Sequence, residues 1–402
     1  MQGYLISNLQ EECFGCGACY QACPVQAITM EKDTEGFRYP VINNETCIHC
    51  NKCQKVCPAV DSNHSLYQIQ KAWGGYYNRN SVREQSTSGG AFTAIAEEWM
   101  ENENVIFGAE LQGNMDVIHS CISDIKELDK FRRSKYLQSD TKSTFQEVKE
   151  HLTAGKKVLF SGTPCQIAGL KSYLGTHKNL DNLLLVEVVC EGVPTPKFTE
   201  LHIKYLEKNF GKKVKSIDWR DKNKNMWDFQ VMKITFDDES EYKISRWFNP
   251  FWSIWLQHLM SRPSCYTCPF ATSQRGADIT IADLWGVHLY CPELYGKNKG
   301  CSLVTCNTQK GLDFWKKAQK RMYGHELEIA DALRYQSPMR KHIDANPNRE
   351  KFMTDIDNMD YEDLCKKWAK KPTLKLLYQK YVYGNRQKVA LWNLKKRLFK
   401  RG

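Results

Sequence analysis

Eight of the seventeen cysteines lie in the first 57 residues, and their spacing states the chemistry. They form two runs, Cys13-x2-Cys16-x2-Cys19-x3-Cys23-Pro24 and Cys47-x2-Cys50-x2-Cys53-x3-Cys57-Pro58. Three thiolates separated by two residues wrap one face of a cubane, and a fourth, followed by proline, crosses to the neighbouring centre. The spacing therefore predicts one [4Fe–4S] cluster on Cys13, Cys16, Cys19 and Cys57. It predicts a second on Cys47, Cys50, Cys53 and Cys23. Because the pattern occurs twice, it argues against disulfides and against zinc, whose four ligands come as two separated pairs. A chain that holds such centres moves electrons.

Four further cysteines sit at strand or loop ends beside Gly and Pro. They are Cys165 in SGTPCQ, Cys190 in VVCEGVP, and Cys265 and Cys268 in CYTCPF. Backbone that bends this sharply can bring thiolates from three loops to one point. On residues alone, a third iron–sulfur cluster, a four-cysteine zinc site and unlinked buried cysteines all stay open. Cys121, Cys291, Cys301, Cys306 and Cys365 match no ligand motif and read as packing residues.

These groups must be positioned by more than one domain. A length of 402 residues suggests two or three, and 42% hydrophobic content supplies their cores. Residues 1–60 form a ferredoxin-type module. Asp61 to Gln70 is polar and reads as a linker. Residues 70–150 and 151–330 read as the two parts of one mixed α/β domain, and 331–402 as a basic helical tail. Phe92, Ile95, Ala96 and Trp99 predict a helix with one apolar face, entered through Thr87-Ser88-Gly89-Gly90. Ser143 and Gln146 suggest a capping box opening a helix that stops at Gly155. Strands are expected at Lys157–Phe160, Leu183–Val189, Phe229–Phe236 and Ala277–Ala282, with a helix from Gln166. The alternation lacks a clean βαβ rhythm, so a mixed sheet is expected.

The N-terminus, MQGYLISNLQ, has no basic start and no long apolar run, so it does not read as a signal peptide. The longest apolar candidate, Leu183 to Val189, is interrupted by Glu187 and is too short to span a membrane. Reduced thiols and oxygen-sensitive clusters fit the cytoplasm. The net charge of +11 is concentrated at one end: Lys366 to Gly402 holds thirteen Lys or Arg and no acid. Leu374, Leu377, Tyr378 and Tyr381 make an apolar stripe there, repeated by Leu391, Leu394 and Leu398. A basic helix of this kind suits an anionic membrane surface at the inner membrane face. Packing on the body or on an acidic protein such as a ferredoxin are the alternatives, and nothing points to a specific nucleic acid.

The order of segments resembles the beta subunit of the methanogen hydrogenases and formate dehydrogenases that reduce a deazaflavin coenzyme. The matching stretches are STSGGAFTAI, RRSKYLQSD, SGTPCQIAGL, CEGVPTP, WRDK and SCYTCPFATSQRGADITIADLWG, from about residue 70 to residue 310. The resemblance implies FAD with a [4Fe–4S] cluster beside it. Matched by motif, that cluster falls on Cys165, Cys190, Cys265 and Cys268. By the same resemblance, Thr87, Ser88, Gly89 and Gly90, an ordinary helix start on their own, become the cradle of the FAD pyrophosphate. Lys135 and Tyr136 face the flavin as the catalytic pair, with Thr163 and Gln166 at the ring edge and Trp285 as a wall. The implied function is an iron–sulfur flavoprotein oxidoreductase. Its substrate would be an unidentified small molecule, with surface-polysaccharide biosynthesis as a candidate setting. A deazaflavin reductase and an electron-transfer subunit serving a catalytic partner are the rival readings.

Overall fold

The computed structural model describes residues 1–60, 65–100, 104–113, 115–222 and 227–399. Its strands are β1 (Ile28–Lys32), β2 (Arg38–Ile42), β3 (Lys71–Tyr77), β4 (Val105–Leu111), β5 (Val117–Ile122), β6 (Val158–Gly162), β7 (Leu183–Val188), β8 (Val214–Asp221), β9 (Val231–Phe236), β10 (Glu241–Ile244), β11 (Ile279–Asp283), β12 (Ser302–Cys306) and β13 (Met322–Leu327). The first two make a hairpin in the cysteine-rich module. An eight-stranded sheet in the order β13-β3-β12-β11-β7-β6-β4-β5 forms the body, and β10-β9-β8 form a smaller antiparallel sheet.

The centre of the large sheet is parallel: β4, β6, β7 and β11 run the same way. Antiparallel strands flank it on both sides. Central parallel strands are buried on both faces, which is why Leu183 to Val186 is continuously apolar. Successive side chains point to opposite faces. Leu159, Leu184, Val186 and Ile279 therefore pack toward the helix Ala91–Trp99. Val158, Phe160, Leu183 and Leu185 pack toward the helices Thr144–Thr153 and Pro164–Leu174. A separate core joins the small sheet to the helices Pro196–Phe210 and Pro250–Trp255.

Three expectations are corrected. Residues 61–64 of the supposed linker lie outside the described residues, but Tyr67 is tied down, exchanging backbone hydrogen bonds of 2.8 and 2.9 Å with Arg275. The capping box at Ser143 does not form. Ser143 Oγ donates to Glu147 (2.6 Å), and the Gln146 amide donates to the Gln21 carbonyl of the cysteine-rich module (2.8 Å). Finally, 331–402 is not one tail. Phe352, Met353, Ile356, Tyr361 and Leu364 are buried in the second core, and beyond residue 370 the chain still rests on the body through Tyr381 against Phe229 and Asn385, which donates to Asp228 at 2.9 Å. There, Val389 is buried while Leu374, Leu394 and Leu398 are 85%, 53% and 64% exposed. Among the described residues, no helix is long and apolar enough to cross a membrane.

Candidate functional site

The structure brings the cysteines of the first expected set to one place. Cys13, Cys16, Cys19 and Cys57 line one cavity beside Tyr4 and Pro40. Burial pushes the Cys16, Cys19 and Cys57 thiols up, and neighbouring cysteines of the set push them further. Cys57 has thus crossed from the second run to the first. Burial likewise raises Cys53, with Cys47 and Cys50 adding to it, and Cys50 is exposed. Cys23 Sγ accepts the Ala27 N–H at 3.2 Å.

The module is locked onto the body by hydrogen bonds to its own backbone. Thr141 Oγ1 donates to the Cys16 carbonyl (2.9 Å), and the Gln138 amide to that of Phe14 (2.7 Å). Arg262, 1% exposed, donates from Nε to the Cys13 carbonyl at 2.8 Å and from Nη1 to Gln138 at 3.1 Å. The chain approaches this closely because Gly17 is left-handed (φ 77°), where a Cβ would sit 2.5 Å from Thr141 Oγ1.

Cys165, Cys190, Cys265 and Cys268 line a second cavity together with Phe14 of the module. Two come from the carboxyl ends of neighbouring parallel strands: Cys165 just after β6 and Cys190 just after β7. This edge is where open α/β sheets place their ligands. Burial raises all four thiols, Cys265 to about 11 and Cys268 to about 12, and Cys190, Cys265 and Cys268 are raised further by one another or by Cys165. Phe14, Ala59, Ala168 and Phe270 pack into one small core against Cys57, Cys165 and Cys268, so the two sets share an apolar wall.

The loop that carries Cys265 and Cys268 is held by a buried ion pair. Arg275 and Glu187 are 1% and 0% exposed. Arg275 Nε donates to Glu187 Oε1, which also accepts from Thr280 Oγ1 at 2.8 Å. Arg275 Nη1 donates to the carbonyls of Thr272 (2.8 Å) and Phe270 (3.2 Å), closing the loop over β7. Glu187, which interrupts an apolar strand in the sequence, is thus an anchor.

Beside the third set lies a cavity of about 530 Å³ that shares Cys190 with it. Thr87, Ser88, Gly90, Lys135, Tyr136, Thr163, Gln166 and Trp285 all line it, so the structure gathers most of the residues expected around a flavin. Gly89 does not join them. A Cβ there would sit 2.4 Å from the Gly75 carbonyl and 2.5 Å from the Ser302 nitrogen, so this glycine faces the sheet. Thr163 and Gln166 are a capping box of the helix Pro164–Leu174. The Gln166 amide also donates to Ser139 Oγ at 2.8 Å, which commits it to structure. Thr163 Oγ1 lies 3.3 Å from Cys165 Sγ. Thr87 Oγ1 accepts the Ser134 N–H at 2.8 Å, and Ser88 Oγ donates to the Cys301 carbonyl at 2.7 Å.

Lys135 Nζ donates to the carbonyls of Lys130 (2.9 Å) and Arg132 (2.8 Å). Burial lowers its pKa to about 7, against the pull of Asp218. Its amine therefore exchanges a proton near neutrality. Sequence reasoning missed Arg220 at the end of β8. It is 4% exposed and donates from Nη1 to Tyr136 Oη (3.1 Å) and Asp283 Oδ2 (3.0 Å). Its Nη2 is buried without a hydrogen-bond partner. Asp283 also accepts from Trp227 Nε1 (2.8 Å), and Trp227 stacks on Trp285 with ring centroids 5.1 Å apart. The WRDK stretch carried this signal. Burial also holds the Glu191 carboxyl above its ordinary range, opposed by Arg246, and both line the cavity.

Comparison with known proteins agrees with this organisation. Residues 12–60 and 39–102 match 4Fe-4S dicluster domains. Residues 155–332 match the family described as the C terminus of the coenzyme F420 hydrogenase/dehydrogenase beta subunit. One subunit of the F(420)H(2) dehydrogenase of Methanosarcina mazei is 23% identical over 190 residues, 44% of this chain and 53% of that protein. The chain therefore spans about half the length of that relative. A coenzyme F420-dependent sulfite reductase of Methanocaldococcus jannaschii is 30% identical over 42% of this chain and 26% of its own length. An uncharacterized ferredoxin of the same organism is 39% identical over 18% of this chain and 87% of its own. A chain of the F420-reducing [NiFe] hydrogenase complex from Methanosarcina barkeri aligns with TM-score 0.46 and 15% identity, over 81% of this chain and 96% of that one. The chain thus carries the C-terminal domain of the coenzyme F420 hydrogenase/dehydrogenase beta-subunit family at residues 155–332, behind a 4Fe–4S dicluster module at its N-terminus.

Proposed function

We propose that this protein is an iron–sulfur flavoprotein oxidoreductase that moves electrons between a partner at its surface and a small molecule in the 530 Å³ cavity. One observation carries the reading: neighbouring thiolate sets share walls, and the third opens on that cavity. The set with exposed Cys50 is outermost, and the set of Cys13 lies beneath it, meeting it at Cys53. The set of Cys165 follows across the Phe14–Phe270 wall, and its Cys190 opens on the cavity. The partner is a ferredoxin or a catalytic subunit.

The third set is assigned a [4Fe–4S] cluster. Zinc, with Zn–S bonds of about 2.3 Å in a tetrahedron, would need its sulfurs about 3.8 Å apart. Among the described residues, the group of candidate ligands that comes within 4.8 Å is Cys291, Glu293 and His325, not these four cysteines. The wider spacing supports a cubane.

The cavity residues suit FAD. Its volume falls in the range of about 300–1,000 Å³ usual for small-molecule and cofactor sites. Gly90 opens the helix Ala91–Trp99, whose N-terminal end attracts a phosphate, and Arg132 and Arg133 line the same wall. Trp285 and the edges of Trp252 and Trp255 give the cavity an apolar wall, and Arg220 Nη2 offers a donor without a partner. When bound, FAD supplies the exchange between two-electron and one-electron chemistry. Lys135 holds or gives a proton at Nζ, and Tyr136 is fixed by Arg220 as a positioned phenol.

The substrate is an unidentified small molecule, with a sugar intermediate of surface-polysaccharide biosynthesis as the first class to test. The names of the matched relatives favour a second reading, in which the cavity takes a deazaflavin. Exposed Leu374, Leu394 and Leu398 among thirteen basic residues support docking of the C-terminal segment on an anionic membrane. Anaerobically purified protein should contain about twelve iron per chain. It should also contain one tightly held FAD. About eight iron removes the third cluster. Bleaching of added deazaflavin under turnover separates the two substrate readings, and cluster-loaded protein that yields no FAD on acid extraction refutes the first.

A further inference from the structure

We propose that Cys291, Glu293 and His325 form a zinc site, separate from the thiolate sets and the large cavity. The three residues come from two elements. Cys291-Pro292-Glu293 is a tight turn after the short helix Val287–Tyr290, and His325 stands on the edge strand β13, opposite Gly74. Cys291 is 3% exposed, while Glu293 and His325 open to solvent.

The donor atoms form a nearly equilateral triangle. Cys291 Sγ lies 3.3 Å from His325 Nε2 and 3.4 Å from Glu293 Oε1, and Nε2 lies 3.5 Å from Oε1. Zinc bonds of about 2.3 Å to sulfur and about 2.1 Å to nitrogen and oxygen, at tetrahedral angles, require separations of about 3.6, 3.6 and 3.4 Å. The side chains match those values within about 0.3 Å, leaving the fourth position to water.

The histidine is already oriented as a ligand. Its Nδ1 lies 2.9 Å from the Glu326 carbonyl, which can only accept, so Nδ1 carries the hydrogen. The Nε2 lone pair then points at Cys291. Ligating histidines are held by this kind of carbonyl contact. One thiolate, one imidazole and one carboxylate are ligand types that zinc accepts together.

Zinc here would clamp the wall of the large cavity to the sheet edge. Tyr290 precedes Cys291, donates to the Trp285 carbonyl at 3.4 Å and stacks on Tyr335 with ring centroids 6.1 Å apart. Trp285 and Tyr335 both line the cavity. The ion would fix the turn that holds them.

The test is zinc K-edge absorption spectroscopy with metal analysis on intact, cluster-loaded protein dialysed against a weak chelator. About one zinc per chain should remain, bound by one sulfur and three nitrogen or oxygen atoms. The exposed His325→Ala should lower zinc at least about tenfold while iron content and the visible spectrum stay unchanged. Zinc absent from the wild-type protein overturns the site, as does zinc retained by His325→Ala. Zinc bound by four sulfurs overturns it too, and places the metal on cysteines assigned above to a cubane. Low iron with an intact one-sulfur zinc site would instead count only against the third cluster.

Discussion

Replacing Glu187 by glutamine tests whether a buried ion pair holds the loop of the third thiolate set. Glutamine keeps the shape and an acceptor for Arg275 Nε and Thr280 Oγ1, and removes only the charge. Arg275 would then be 1% exposed with two carbonyl oxygens and no counter-ion. Two unit charges about 4 Å apart interact by about 4 kcal/mol at an effective dielectric near 20. Breaking a buried pair from one side costs about 3–5 kcal/mol, which agrees. Glu187→Gln should therefore lower the unfolding free energy by about 3–5 kcal/mol, read from urea unfolding followed by circular dichroism. Because Arg275 closes the loop of Cys265 and Cys268, iron should also fall from about twelve to about eight per chain. The signals of the N-terminal clusters should persist. The double variant Glu187→Met/Arg275→Met removes both charges and should recover stability to within about 1 kcal/mol of wild type. If Glu187→Gln alone stays within about 1 kcal/mol and keeps twelve iron, the pair does not hold the loop and the reasoning fails.

Gly89→Ala should lower the melting temperature whether or not flavin is supplied, by overpacking worth about 1–3 kcal/mol, because its Cβ meets backbone of β3 and β12 and not a phosphate. Selective loss of flavin at unchanged stability would return Gly89 to the cradle. Lys135 should react with acetic anhydride with a midpoint near pH 7, resolved by mass spectrometry, whereas ordinary lysines titrate near 10. Its folded pKa lies below the unfolded 10.5, so its stability penalty is full below about pH 7 and fades as pH rises toward 10.5. A Lys135 midpoint above about 9 would contradict its burial. Full-length protein should sediment with anionic liposomes at low salt and release with salt, while a chain ending at Lys370 stays in solution with its iron intact. Equal behaviour of both forms would assign the exposed leucines to another partner.

Local spacing alone determined the first part of this protein. Cys13, Cys16 and Cys19 are within one short stretch of chain, so their geometry is set by a few dihedrals, and Cys57 meets them as its proline-ended run requires. The apolar periods of Ala91–Trp99 and of Leu183–Val188 likewise fixed a helix and a doubly buried strand. Motif resemblance reached further and named the four cysteines of the third set and eight residues of the cavity lining. It could not say which way each residue points. Gly89 and Gly90 are neighbours, yet one faces the sheet and the other the cavity, because β3 and β12 pass behind the turn. Gln166 has the same chemistry as a ligand contact and as a cap, and only the nearness of Ser139 decided for the cap. Cys291 and His325 are 34 positions apart and carry no motif, so their meeting depends on β13 pairing at the sheet edge. Glu187 and Arg275, 88 positions apart, are ordinary charges in the sequence. Burial between β7 and the cysteine loop makes them a pair, since neither charge is stable there without the other.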